Sequence, residues 1–167
     1  MLLAQVSVFS MNPQQEDDDD FYVVNYKFNY SKMRINGQWA KRYVFANIYN
    51  EEENSEIAFD KFKKRIETTF IKAVNYKSLE NHGYTLDNSK DSRYTIAFYF
   101  LDVDEDGEHI VVADIQDKEN ENDVVETVKA KAGSGRFNSF LNLFLERLQK
   151  SGERIGDKLA EELDDLR

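Results

Sequence analysis

The chain has 167 residues, no cysteine, 41% hydrophobic and 32% charged residues, and 32 acids against 22 bases for a net charge of -10. This length supports one domain with a core of its own, and the missing cysteines exclude disulfide frameworks, thiol nucleophiles and thiolate metal sites. The acidic balance disfavours general attraction to nucleic acid or anionic membrane and favours partners with basic surfaces.

The first residues, MLLAQVSVFSMN, are apolar, with strand character over Leu2 to Phe9. They lack the basic leader of a secretory signal, and no run approaches the roughly 18 apolar residues of a membrane span. A soluble, cytoplasmic protein without a membrane partner is expected. Residues 12–20 read as a polar loop ending in the acidic run Glu16 to Asp20. Phe21 to Tyr30 alternates, with Tyr22, Val24, Tyr26, Phe28 and Tyr30 on one face and Val23, Asn25, Lys27 and Asn29 on the other. That is the period and composition of a strand. Asn36-Gly37 is a tight-hairpin signal, and a further strand is expected over Trp39 to Tyr49.

A helix is expected to start near Asn54 or Ser55, both good caps. Its apolar stripe is Phe59, Phe62, Ile66, Phe70 and Val74, close to the 3.6 period, with Asp60 and Lys64 as a supporting pair. Ser78 to Ser92 reads as a loop. Tyr94 to Asp102 and His109 to Ile115 read as a second hairpin around Asp104-Glu105-Asp106-Gly107. Phe137, Leu141, Phe144 and Leu148 open a helical stripe that Ile155, Leu159, Leu163 and Leu166 continue. Gly152 and Gly156 predict either one kinked helix or two.

The expected fold is α+β: an antiparallel sheet of about five strands in the order β-β-β-α-β-β, with helices on one side and a C-terminal helical segment. Residues 1–135 form the expected core domain. Residues 136–167 form an amphipathic helix or helical hairpin, packed on that core or used for self-association.

The charge is blocked along the chain. Residues 101–126 carry eleven acids and one base, Lys118, whereas residues 21–50 carry five bases and no acid. The acidic runs suit a partner with a basic surface, because complementary charge speeds association. The expected function is a non-catalytic binding protein of inhibitor, immunity or chaperone type. Its expected contact residues are Asp17, Asp18, Asp19, Asp20, Asp102, Asp104, Asp106 and Glu108. The alternative is single-stranded nucleic-acid binding, in which aromatic faces stack bases and cations hold phosphates. Tyr26, Phe28, Trp39 and Tyr43 would stack, and Lys32, Arg34, Lys41 and Arg42 would hold the backbone.

Catalytic and metal signatures are thin. The only histidines, His82 and His109, fall in an expected loop and turn, and no nucleophile-elbow or zinc-protease motif occurs. No enzyme activity and no cofactor are expected. Asp102 to Gly107 resembles the first half of a calcium-binding EF-hand loop, with carboxylates at positions 1, 3 and 5 and glycine at 6. Position 8 is His109 and position 12 is Ala113, where the loop needs a bidentate Glu, so a solvated turn is the reading taken. Ala132-Gly133-Ser134-Gly135-Arg136 resembles a phosphate loop only in its glycines. No strand is expected before it, and a flexible joint is the reading taken.

Overall fold

A computed structural model of the chain describes residues 21–35, 38–39, 55–89, 91–103, 108–134 and 141–167. The strands are β1 (Tyr22–Phe28), β2 (Arg34–Ile35), β3 (Gln38–Trp39), β4 (Tyr84–Leu86), β5 (Tyr94–Val103), β6 (Glu108–Asp117) and β7 (Asp123–Ser134). Two long helices, α1 (Ser55–Val74) and α2 (Leu141–Leu166), complete the frame, and a π-helical turn over Asn75–Leu79 extends α1. The class is α+β.

Five strands form one sheet in the order β4-β1-β5-β6-β7, and β2 pairs with β3 in a separate ribbon. The sheet is mixed and not purely antiparallel. β1 runs parallel to β4 and to β5, while β5, β6 and β7 form an antiparallel meander. Chain connectivity accounts for this. A parallel pair needs a crossover of a dozen or more residues, and α1 lies in the crossover between β1 and β4.

The Asn-Gly signal sits where a hairpin forms: Ile35 pairs with Gln38 and Arg34 with Trp39. Residues 36–37 themselves, the expected strand at Leu2 to Phe9 and the remainder of the strand expected to Tyr49 lie outside the described residues. The segment expected as a loop, Ser78 to Ser92, contains helical residues and β4. Gly83, at φ +86°, turns the chain into β4, a conformation that costs glycine little, and its carbonyl accepts from the Tyr22 N–H at 2.7 Å. Asp60 pairs with Lys63 at 3.3 Å, one residue short of the expected Lys64.

Strand β7 lies where no strand was expected. Its inward residues Val128, Ala130 and Ala132 are buried while Thr127, Lys129 and Lys131 are exposed. The start of the glycine stretch is therefore not a free joint: Gly133 and Ser134 belong to β7, and Ser134 registers with Glu108.

Both helices cover one face of the sheet. Phe70 of α1 stands edge-on to Phe98 at 5.1 Å, Phe100 at 5.5 Å and Phe28 at 5.9 Å between ring centroids. Offset and edge-on ring pairs of this kind add to the burial of area itself. Leu148, Ile155, Leu159 and Leu163 of α2 are fully buried in the same core. α2 is one continuous helix. A Cβ on Gly152 would lie 3.0 Å from Ala73 Cβ, and one on Gly156 would lie 2.5 Å from the Val74 carbonyl oxygen. The glycines permit close approach of α2 to α1.

Candidate functional site

The expected acidic contact residues fall largely outside the described chain. Asp17 to Asp20, Asp104 and Asp106 lie there, and Asp102 and Glu108 are placed by their backbones alone, near the end of β5 and at the start of β6. The turn resembling half a calcium loop is also outside the described residues. Among those described, no group of three or more His, Asp or Glu side chains is arranged to hold a metal ion. No described helix is long and apolar enough to cross a membrane.

The aromatic-basic block divides between two environments. Tyr26 and Phe28 lie on the helix-bearing face and pack against the core, with Phe28 stacked on Tyr30 at 6.0 Å. The Tyr30 hydroxyl donates to Glu67 at 2.6 Å, and burial together with this carboxylate raises its pKa. These rings serve packing, since a stacked base needs an accessible face. Trp39 is 53% exposed, with the Arg34 guanidinium 4.8 Å from its ring centroid. Lys32 lies 5.3 Å from the Tyr99 ring. Lys41, Arg42 and Tyr43 are outside the described residues.

The histidines separate as well. His109 is buried within β6, not in a turn. His82 is exposed, and its Nδ1 lies 2.6 Å from Asp164. The same carboxylate accepts from the Tyr84 hydroxyl at 2.8 Å. Both contacts hold Asp164 below the usual carboxylate range, Tyr84 contributing most. Ser78 donates to Asp157. This cluster fastens the end of α2 to the segment around β4.

Acidic side chains converge instead at the end of the sheet where β6 turns into β7. Arg93 grips Asp117 there through Nε at 2.9 Å and Nη2 at 3.0 Å. A bidentate pair of this geometry favours the charged carboxylate, and Asp117 titrates below its ordinary range, chiefly because of Arg93. Arg93 also reaches Glu119 at 3.7 Å, and Lys118 pairs with Asp91 at 2.7 Å. Glu121 follows in the turn and Asp123 at the start of β7, both exposed. The Tyr94 hydroxyl donates to the Leu166 carbonyl at 3.3 Å, which brings the end of α2 to the same pole.

The closest acids there are Glu126 on β7 and Glu162 on α2. Burial raises the Glu162 pKa, and Glu126, Asp165 and Glu161 add to the rise by like charge, Glu126 also by hydrogen bonding. None of these four acids makes an ion pair with a described residue. Val124, 49% exposed, stands between Asp123 and Glu126 in sequence.

The β7 edge continues this pole into a basic stretch. Arg147 donates to the Ala132 carbonyl at 2.8 and 3.0 Å, Arg154 to Lys131 at 2.8 Å and Lys158 to Lys129 at 2.7 Å. Burial lowers the Arg147 pKa. An edge strand offers unpaired carbonyls to other chains, and α2 occupies three of them. A cleft of 460 Å³ between β7 and α2 is lined by Thr127, Lys129, Lys158, Glu161 and Glu162. Sequence reading missed this site because Glu126 and Glu162 are 36 positions apart. The strand period of Val128, Ala130 and Ala132, with lysines between, was the available signal.

Comparison with protein-family models, with curated proteins and with solved structures finds no match.

Proposed function

We propose that this chain is a non-catalytic binding protein whose acidic pole docks against a protein with a basic surface. The observation that carries the reading is the convergence of Glu126, Glu161, Glu162 and Asp165. Folding brings like charges together at a cost, and an approaching cation relieves it. Asp123, Glu121 and Glu119 extend the field towards solvent, so approach is steered before contact. Val124 supplies an apolar centre.

The test is association of the full chain with a fluorescent Lys/Arg-rich peptide of about 15 residues, read by stopped-flow at low and moderate salt. The on-rate is expected to fall steeply with salt, because exposed charges are screened beyond about 8 Å at physiological ionic strength. An on-rate indifferent to salt, or no binding at low salt, contradicts the reading.

A second reading rests on Trp39, whose exposed ring carries Arg34, with Lys32 nearby over Tyr99. Single-stranded oligonucleotide binding that quenches Trp39 fluorescence would support it. Titration without quenching would remove it.

A further inference from the structure

A second cleft, of 570 Å³, lies in the groove between α1 and α2. Thr68, Lys72 and Tyr76 line it on one side and Gln149 and Glu153 on the other, over Ala73. Its volume falls within the roughly 300–1,000 Å³ of small-molecule sites.

The helical period builds the two walls. Thr68 and Lys72 are four residues apart on α1, and Gln149 and Glu153 are four apart on α2, so each pair shares a helix face. The floor is the close approach of the helices, where a Cβ on Gly152 would lie 3.0 Å from Ala73 Cβ. Lys72 and Glu153 are the sequence neighbours of that touching pair. They therefore stand at one level, a cation on one wall and an anion on the other.

Both are exposed, and neither makes an ion pair with a described residue. No acid lies three or four residues from Lys72 along the helix. Lys150 lies three residues before Glu153 and does not pair with it, and Asp157, four residues after, accepts from Ser78. A simple anion entering the cleft meets Glu153, and a simple cation meets Lys72, so each is opposed. A zwitterion satisfies both walls at once. The Thr68 hydroxyl adds a donor on the Lys72 face, and the Gln149 amide adds a donor and an acceptor on the Glu153 face. Tyr76, 53% exposed at the cleft, adds an aromatic wall, and ring pairs contribute beyond the area they bury.

We propose that this cleft binds a free α-amino acid with an aromatic side chain, its carboxylate at Lys72, its ammonium at Glu153 and its ring against Tyr76. The site shares no residue with the acidic pole and does not rest on it.

Calorimetric titration of the full chain with L-phenylalanine tests it. Saturation at one site per chain is expected by about 10 mM. N-acetyl-L-phenylalanine lacks the ammonium and L-phenylalaninamide lacks the carboxylate, and each is expected to bind at least tenfold more weakly, because each leaves one charged wall unanswered. K72Q is expected to bind phenylalanine and its amide alike, and E153Q to bind phenylalanine and its N-acetyl form alike, each with at least tenfold loss for phenylalanine. Circular dichroism checks that both variants are folded. If either is not, the two derivatives on the wild-type chain decide alone. No saturation with phenylalanine, derivatives that bind as tightly as it does, or folded variants that keep the wild-type preferences overturn the proposal.

Discussion

α2 touches its two neighbours by opposite physics. Against α1 it presents glycines, and the helices approach until a single methyl would strike the Val74 carbonyl. Against β7 it presents arginines and a lysine, which hold three backbone carbonyls, and then carboxylates that crowd Glu126. The first contact is close enough at Gly152 and Gly156 to leave no room for a larger side chain. The second keeps charge at the surface, where a partner can read it. Stability is concentrated on one flank of the helix, and the proposed recognition of a basic protein falls on the other.

The largest expected effect lies on the packed flank. Phe70→Ala empties the ring cluster formed with Phe28, Phe98 and Phe100, and a loss of about 4 kcal/mol is expected from cavity formation. Urea unfolding measures it. A loss below about 1 kcal/mol would show that the helix layer is not held by this cluster.

Gly156→Ala should be next. The added methyl gains about 1 kcal/mol of helix propensity, but overpacking against the Val74 carbonyl costs about 3 kcal/mol, so a net loss of about 2 kcal/mol is expected. Gly152→Ala meets a side-chain methyl at 3.0 Å and should lose less. Equal unfolding midpoints for the two variants would remove the claim that Gly156 sets the helix separation.

Asp117→Asn probes the pole's structural acid. Arg93 holds the Asp117 pKa below its unfolded value, so its contribution is complete at neutral pH and is lost as pH falls below about 4. The variant should melt below wild type at pH 7, and the difference should close towards pH 2. A difference constant across that range would mean that the carboxylate charge is not what stabilises.

The smallest effect has the opposite sign. Glu162→Gln removes a charge that Glu126, Glu161 and Asp165 oppose, so its Tm should equal or slightly exceed that of wild type while peptide binding weakens. A clear drop in Tm would place Glu162 among the structural acids with Asp117.

The same contrast governs how much was legible in the chain. Phe62, Ile66, Phe70 and Val74 declared α1, and Leu148 to Leu163 declared α2, because a buried helical face repeats locally. β1 declared itself by alternation, and β5 and β6 as a hairpin around the Asp-Gly turn signal. The parallel pairing of β1 did not, since strand direction depends on where a crossover returns the chain. β7 was obscured by its composition: alanines face inward and lysines outward, too little apolar contrast beside an acidic block. The acidic pole was legible only in part: Glu119 to Glu126 belong to the acidic run of residues 101–126, but their meeting with the acids of α2 was not legible. Its acids come from β7 and α2, and only folding makes Glu126 and Glu162 neighbours. The aromatic block was legible only in part for the converse reason, because alternation shows which rings share a face but not which face the helices cover.

Calorimetric titration of the Lys/Arg-rich peptide into two variants of equal net charge tests the account most directly. E126Q/E162Q removes two charges from the pole, and E56Q/D60N removes two exposed acids at the start of α1. The account predicts that the pole variant loses at least tenfold in affinity and that the α1 variant binds as wild type does. Equal losses in the two would show that net charge, and not the convergence of Glu126 with Glu161, Glu162 and Asp165, governs binding.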